Sequence, residues 1–137
     1  ERFSGVKAYL DRTIAQAEEQ GYVETLFGRR RYLPDIHASN HVARAAAERM
    51  AVNMPVQGTA ADIMKIAMIG VDKAIRAKYG ERVALLLQVH DELVLEAPTK
   101  DASDVAELVK AEMVAAARLS VPVEVQAGTG YSWGEAK

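Results

Sequence analysis

Apolar residues recur at helical spacing in three segments of the chain. The first segment runs from Val6 to Gln20, and Gly21 follows it as a typical helix C-terminal stop. The last segment begins after Asp101, a favoured N-cap residue, and runs to about Leu119. Both patterns predict amphipathic helices. We expect the inner face of the last helix to consist of Val105, Leu108, Val109, Met113 and Ala116.

The middle segment is the longest and contains a proline. Ser39 or Asn40 can cap its start, whereas Pro55 lacks the amide hydrogen that a helix interior needs. We therefore predict two helices, the first through Arg49 and a longer one over residues 56–78. The apolar stripe of the longer helix is predicted to consist of Met64, Ala67, Met68, Val71 and Ile75.

Shorter patterns predict β-strands. Aromatic and β-branched residues on both sides of Gly28 predict a hairpin that ends at Pro34, with a basic second arm. Residues 83–89 and 93–97 predict a second hairpin with a tight turn, and the stretch "VPVEVQAG" predicts a closing strand. Helices mixed with antiparallel strands indicate the α+β class. Because no linker or repeat is visible, we expect one domain over residues 1–137.

Composition excludes several kinds of site. The 137 residues contain no cysteine, which rules out disulfides, thiolate zinc sites and cysteine nucleophiles in this chain. Half of the residues are hydrophobic, yet no run approaches the roughly eighteen apolar residues of a membrane helix. We expect an intracellular protein with no membrane partner. The chain opens at Glu1, without methionine or a helix cap, so we interpret it as a piece of a longer protein.

The net charge of −2 hides a basic strip over residues 26–53, which contains five arginines and two carboxylates. Three of the arginines are consecutive, from Arg29 through Arg30 to Arg31. Guanidinium groups bind phosphate oxygens in a bidentate manner, although such a run is also typical of a solvated face. Arg29 and Arg30 are therefore candidates for binding DNA phosphates.

Three polar residues follow at intervals of four: Arg49, Asn53 and Gln57. This spacing places them on one face of a helix unless Pro55 disturbs the line. By itself the pattern is also typical of an ordinary solvated helix face.

A charged triplet, His90, Asp91 and Glu92, interrupts the second predicted hairpin. Asp is common in turns because of its local hydrogen bonds. Adjacent carboxylates on a rigid turn also suit hard divalent cations such as Mg²⁺, which prefer oxygen ligands. One histidine beside a turn is commonly a surface or hydrogen-bonded residue, and we interpret His37 and His41 in the same way.

The segments "RRYLPDI", "AAERMAVNMPVQGTAADIMKIAMI" and "QVHDELVLEAP" resemble, in order and spacing, the C-terminal part of the family A DNA polymerases of bacteria. The resemblance extends from about Gly5 to Trp133. It implies the last part of a fingers domain followed by about half of a palm domain, whose antiparallel sheet contains a metal-site hairpin and packs against helices. The implied activity is template-directed addition of deoxynucleotides to a primer 3′ end.

The resemblance also implies roles for individual residues. Asp91 would be a ligand of two catalytic Mg²⁺ ions, Glu92 an auxiliary acid and His90 a neighbour of the primer terminus. The implied contacts to the primer–template duplex are Arg49, Asn53 and Gln57. We further expect buried strands on both sides of Asp91 to fix its carboxylate, which such a site needs.

Two parts of the family's active site have no counterpart in the sequence: a second metal-binding aspartate and the fingers helix that holds the nucleotide. We therefore expect the 137 residues alone to be inactive. In the longer protein, the expected partners are primer–template DNA and deoxynucleoside triphosphates, and we expect a monomer in the bacterial cytoplasm, associated with the nucleoid.

Three alternatives stay open from sequence. The chain could be a non-catalytic nucleic-acid-binding module that keeps only the duplex-contacting helix. It could also resemble a phage-type RNA polymerase, but that hairpin has His-Asp-Ser, and Glu92 favours the DNA enzyme. A metal-dependent nuclease is less favoured, because one hairpin supplies few metal ligands.

Overall fold

The computed structural model describes residues 3–136. The chain forms two compact units, Glu1–Asp62 and Ile63–Lys137, each with its own hydrophobic core. Glu1 and Arg2, on which the predicted uncapped start depends, lie outside the described residues. Within residues 3–136, no helix combines the length and apolar character needed to cross a bilayer.

The first unit begins with helix α1, Ser4–Gln20, which ends as predicted at Gly21. Gly21 has a left-handed backbone (φ 74°), and its N–H donates to the Ala17 carbonyl at 2.8 Å. The predicted hairpin is confirmed as strands β1, Tyr22–Glu24, and β2, Arg30–Tyr32, which pair antiparallel. The core of this unit consists of Ala17, Val23, Leu33, Ile36, Ala47, Ala51 and Met54.

The prediction of two helices separated at Pro55 is wrong. One helix, α2, spans His41–Tyr79 with Pro55 inside it. Asn40 caps the start of this helix as predicted, because its Oδ1 accepts the Val42 N–H at 2.9 Å. An interior proline costs a helix about 3 kcal/mol. Apolar burial on both sides of Pro55 offsets this cost, since Ala51, Met54, Met64 and Ala67 are all buried.

The second unit consists of the C-terminal part of α2, strands β3, Ala84–Val89, and β4, Glu92–Glu96, and helix α3, Ala102–Ala115. The two strands pair antiparallel, which confirms the second hairpin. The predicted stripe of α2 lies inward, with all of its members buried except the half-buried Met68. The core consists of Val71, Ile75, Tyr79, Val83, Val105 and Val109, with Leu108 and Met113 packed against it.

Three predictions for the C-terminal part are wrong. Helix α3 ends at Ala115 rather than near Leu119, and Asp101 makes no side-chain capping bond because its carboxylate binds Arg82 at 2.9 Å. The stretch "VPVEVQAG" forms no strand. Pro122 removes a backbone donor there, and a strand needs a paired neighbour.

Gly58 and Gly70 both lie inside α2 but differ in the space around them. A Cβ on Gly58 would lie 2.7 Å from Thr25 Cγ2, whereas one on Gly70 would meet only the flexible Glu112 carboxylate, at 3.1 Å. Thr25 has little freedom to move, because its hydroxyl accepts the N–H groups of Phe27 and Arg29.

We expect Gly58→Ala to lower the free energy of unfolding by about 1–3 kcal/mol, because overpacking outweighs the gain in helix propensity. Gly70→Ala, the matched control, should be neutral or stabilise by up to about 1 kcal/mol. Urea unfolding of the chain followed by circular dichroism measures both changes. Equal effects of the two substitutions would contradict the close approach at Gly58.

Candidate functional site

The predicted charged bend is a two-residue turn. Val89 pairs with Glu92 across the β3–β4 hairpin, so His90 and Asp91 alone connect the strands. His90 has φ 53°, and among residues 3–136 no other non-glycine residue has a positive φ. A left-handed backbone disfavours residues with a Cβ by about 1–2 kcal/mol, so the turn is held in this shape by its surroundings. All three charged side chains are exposed to solvent.

Gln88 makes one contact that holds the turn. Its Nε2 donates a hydrogen bond to the His90 carbonyl oxygen. The bond joins the end of β3 to the turn peptide and limits rotation of the backbone on which the Asp91 carboxylate depends.

The strands on the two sides of the turn are buried unequally. In β3, Leu86 has no partner in the ladder and forms a bulge, and Leu86 and Leu87 are 52% and 51% exposed. On β4, Leu93 and Leu95 pack against the core, as Leu85 does on β3. The expectation of buried strands on both sides of Asp91 is therefore wrong for β3. A two-stranded sheet buries one face against α2 and α3, and the bulge changes which residues face the core.

The turn supplies carboxylate oxygens for a hard cation. Asp91 and Glu92 are adjacent and exposed, and oxygen ligands of this kind fit Mg²⁺. In the part of the chain that the structure describes, no group of three or more Asp, Glu or His side chains is placed to hold a metal ion. The residues present therefore fit a partial ligand set.

The three polar residues on α2 share one face, because the helix is continuous through Pro55. Arg49, Asn53 and Gln57 are all exposed. None of their side chains hydrogen-bonds or forms an ion pair with another residue in the described range 3–136. Their donors are therefore available to a partner along about two turns of helix.

The consecutive arginines have three different environments. Arg29 donates from Nε to Asp62 Oδ1 at 2.7 Å and from Nη2 to the Gly58 carbonyl at 2.9 Å. Arg31 Nη2 lies 3.1 Å from Met50 Sδ, and within residues 3–136 Arg31 has no carboxylate within 4.0 Å. The charge run alone could not distinguish them.

Arg30 is bound across the hairpin. Its Nε lies 2.5 Å from Glu24 Oε1, and its guanidinium lies 4.5 Å from the centre of the Tyr22 ring. The hydrogen bond that Arg30 donates to the Glu24 carboxylate raises the pKa of the Arg30 guanidinium above its usual value, so this cation keeps its charge. Glu24 lies directly opposite Arg30 in the strand pairing. This ion pair could have been predicted from the sequence by pairing the two arms of the hairpin residue by residue.

Two histidines lie apart from these groups. His37 Nε2 is 2.8 Å from the Glu18 carbonyl oxygen, which fits a hydrogen-bonded surface residue. His41 is exposed at the first position of α2.

Residues 1–135 match the sequence family described as DNA polymerase family A. The chain belongs to this family. It is 55% identical over 135 residues to DNA polymerase I of Pseudomonas aeruginosa, which covers 98% of the chain and 15% of that protein. It is 53% identical over 135 residues to the thermostable DNA polymerase I of Thermus aquaticus, covering 98% of the chain and 16% of that protein.

A solved structure is also similar. The POL domain of Pol1 from M. smegmatis, in complex with DNA primer-template and dNTP, matches with a TM-score of 0.93 and 50% identity over 98% of this chain and 24% of that chain.

These comparisons confirm the predicted family A membership and the α+β class. The chain spans about one sixth of the length of the curated relatives it matches. The roles of individual residues, including Asp91 and Gln57, stay predictions at this point.

Proposed function

We propose that this chain is part of a DNA-directed DNA polymerase and supplies one carboxylate of its metal centre together with a helix face for primer–template DNA. The observation that carries the proposal is Asp91, exposed on a constrained two-residue turn, in a chain that belongs to DNA polymerase family A. We place both compact units in one polymerase domain, as the end of the fingers and part of the palm.

Asp91 would hold the catalytic ions, with Glu92 as an auxiliary acid beside it. A pair of Mg²⁺ ions, when bound, activates the primer 3′-hydroxyl and stabilises the leaving pyrophosphate. The chain's own contribution is preorganisation, because the left-handed backbone at His90 and the bond from Gln88 restrict where the Asp91 carboxylate can lie. In this proposal, the His90 imidazole lies near the primer terminus.

The exposed face of α2 would bind the duplex. Arg49 offers a free guanidinium for a phosphate, and the Asn53 and Gln57 amides can donate to minor-groove acceptors. Every Watson–Crick pair presents purine N3 or pyrimidine O2 there, so such donors sense pairing without reading sequence. Arg30 keeps its predicted phosphate role as a proposal, although its guanidinium already binds Glu24.

The remaining ligands and the nucleotide-binding groups would come from other parts of a longer protein, which acts as a monomer on primer–template DNA and deoxynucleoside triphosphates. We propose the bacterial cytoplasm, at the nucleoid, as its location.

The proposal is tested in a host polymerase, defined as the Pseudomonas aeruginosa DNA polymerase I with these 137 residues in place of its own matching segment. We expect the host polymerase to extend a primer in the order dictated by the template, and the 137-residue chain alone to incorporate nothing. Tight DNA binding by the host polymerase without extension would favour the non-catalytic binding module instead.

A further inference from the structure

The tip of the β1–β2 hairpin is bound to the turn of α2 that follows Pro55. The Leu26 N–H donates to Thr59 Oγ1 at 3.0 Å, and the Thr59 hydroxyl donates to the Pro55 carbonyl at 2.5 Å. Thr59 is 6% exposed, so these bonds are shielded from water. The hydroxyl thus joins the hairpin backbone to the helix backbone.

Arg29 adds a second connection at the same turn. Its guanidinium bridges the Gly58 carbonyl oxygen and the Asp62 carboxylate, which lie one helical turn apart. The Asp62 side chain is only 12% exposed, whereas that of Arg29 is 48% exposed. An ion pair with one shielded partner is screened less than a surface pair.

The absence of a side chain at Gly58 permits this arrangement. A Cβ there would lie 2.7 Å from Thr25 Cγ2 and 3.3 Å from Arg29 Nη2. Gly58, the residue after Gln57, thus allows the hairpin tip to pack closely against the helix.

This turn of α2 directly follows a gap in the hydrogen-bond ladder of the helix. Pro55 cannot donate to the Ala51 carbonyl, so the ladder lacks one bond two residues before Gln57. Gln57 is exposed, two residues after Pro55 and one before Gly58. The position of its amide therefore depends on a backbone that the hairpin tip fixes from outside.

We propose that Arg29 is a positioning residue for Gln57 rather than a ligand of DNA phosphate. Its Nε and Nη2 are already engaged within the protein, and both acceptors lie in the helical turn that directly follows Gln57. The proposal rests on the proposed duplex contact of Gln57. Loss of the Arg29 bridge leaves the Gln57 amide mobile, and a mobile donor distinguishes poorly between paired and mispaired primer ends.

The test is a double-mutant cycle in the host polymerase with Arg29→Ala, Gln57→Ala and the combined variant. Arg31→Ala is the matched control, since it removes the same charge from the same run of arginines and Arg31 is not among the proposed DNA contacts. The ratio of extension rates from matched and mismatched primer ends is measured for each, together with primer–template affinity across a salt series. We expect Arg29→Ala to reduce this ratio by about fivefold and Arg31→Ala to leave it unchanged. The combined variant should lose no more than Gln57→Ala alone.

Arg29→Lys separates positioning from charge and disturbs the fold less. A lysine keeps the positive charge but cannot reproduce the planar two-point bridge, so the ratio should still fall while the salt slope stays at the wild-type value. A salt slope reduced by about 0.9 in Arg29→Ala, with a normal slope in Arg29→Lys, would overturn the proposal in favour of a phosphate contact.

The proposal would also be overturned if the reductions in this ratio caused by Arg29→Ala and Gln57→Ala were additive in the combined variant. A lower melting temperature of Arg29→Lys with an unchanged ratio would overturn it as well, since that marks a merely structural role. If Gln57→Ala itself leaves the ratio unchanged, the duplex contact proposed for Gln57 fails as well, which distinguishes the two failures.

Discussion

Replacing Asp91 by asparagine in the host polymerase is expected to lower the single-turnover rate of nucleotide incorporation by several orders of magnitude. Asparagine keeps the size of aspartate and is equally suited to turns, so the hairpin should retain its shape. It removes the negative charge that the metal-assisted step requires. Primer–template affinity should stay within about tenfold of wild type, because that affinity depends mainly on phosphate contacts.

Glu96→Gln provides the matched control for this loss. Glu96 is an exposed carboxylate on β4, at the opposite end of the strand from the turn. Its removal changes the net charge by the same amount, and we expect the incorporation rate to stay near wild type. Incorporation by Asp91→Asn at a rate close to wild type would instead show that Asp91 is only a turn residue.

Arg49 and Gln57 are expected to fail in different ways when replaced by alanine. Both lie exposed on one face of α2, but one is proposed to bind a phosphate and the other a base edge. Arg49→Ala should weaken binding to every duplex and reduce the slope of log affinity against log salt by about 0.9. Gln57→Ala changes no charge, so it should leave the salt slope unchanged. It should instead slow extension from paired primer ends and reduce the difference in extension rate between matched and mismatched ends.

Arg44→Ala is the control for Arg49. Arg44 lies on the same helix, 3.8 Å from Glu48, and is only half-buried. Its removal should change the salt slope less than the removal of Arg49. If Gln57→Ala reduces the salt slope as Arg49→Ala does, with discrimination unchanged, then the minor-groove assignment is wrong and this face of α2 is simply basic.

The sequence predicted the parts of the fold that depend on local periodicity and caps. Helix α1 ends before Gly21 and α2 begins after Asn40, because each of these two residues makes its expected terminal bond. The two hairpins formed where the sequence predicts them, one around Gly28 and one at the charged bend. In each case the deciding interaction lies within a few residues along the chain.

The errors in the predicted secondary structure arose where tertiary packing or a distant side chain determines the local conformation. Pro55 is tolerated inside α2 because the burial of apolar residues on both sides offsets its cost. Asp101 does not cap α3 because Arg82 binds its carboxylate. The bulge at Leu86 exposes part of β3, which alternation alone does not predict.

The residues of the candidate site also differ in how far their environment could be predicted from the sequence. Asp91 could be located from sequence because two strands and a short bend fix where it lies. The arginine run could not be resolved, because Arg29 depends on Asp62, 33 residues away, and Arg30 on the register opposite Glu24. A run of like charges identifies a basic surface but not which of its members are free.

The metal preference of an Asp91→Cys host polymerase tests ligation by residue 91 most directly. The segment contains no other cysteine, and a thiolate ligand favours softer ions than Mg²⁺. We predict that incorporation is lost with Mg²⁺ and recovers at least about tenfold with Mn²⁺ or Cd²⁺, while Glu96→Cys stays active with Mg²⁺ and shows no such preference. Equal residual rates of Asp91→Cys with all three ions, or full activity with Mg²⁺, would contradict the assignment of Asp91 as a metal ligand.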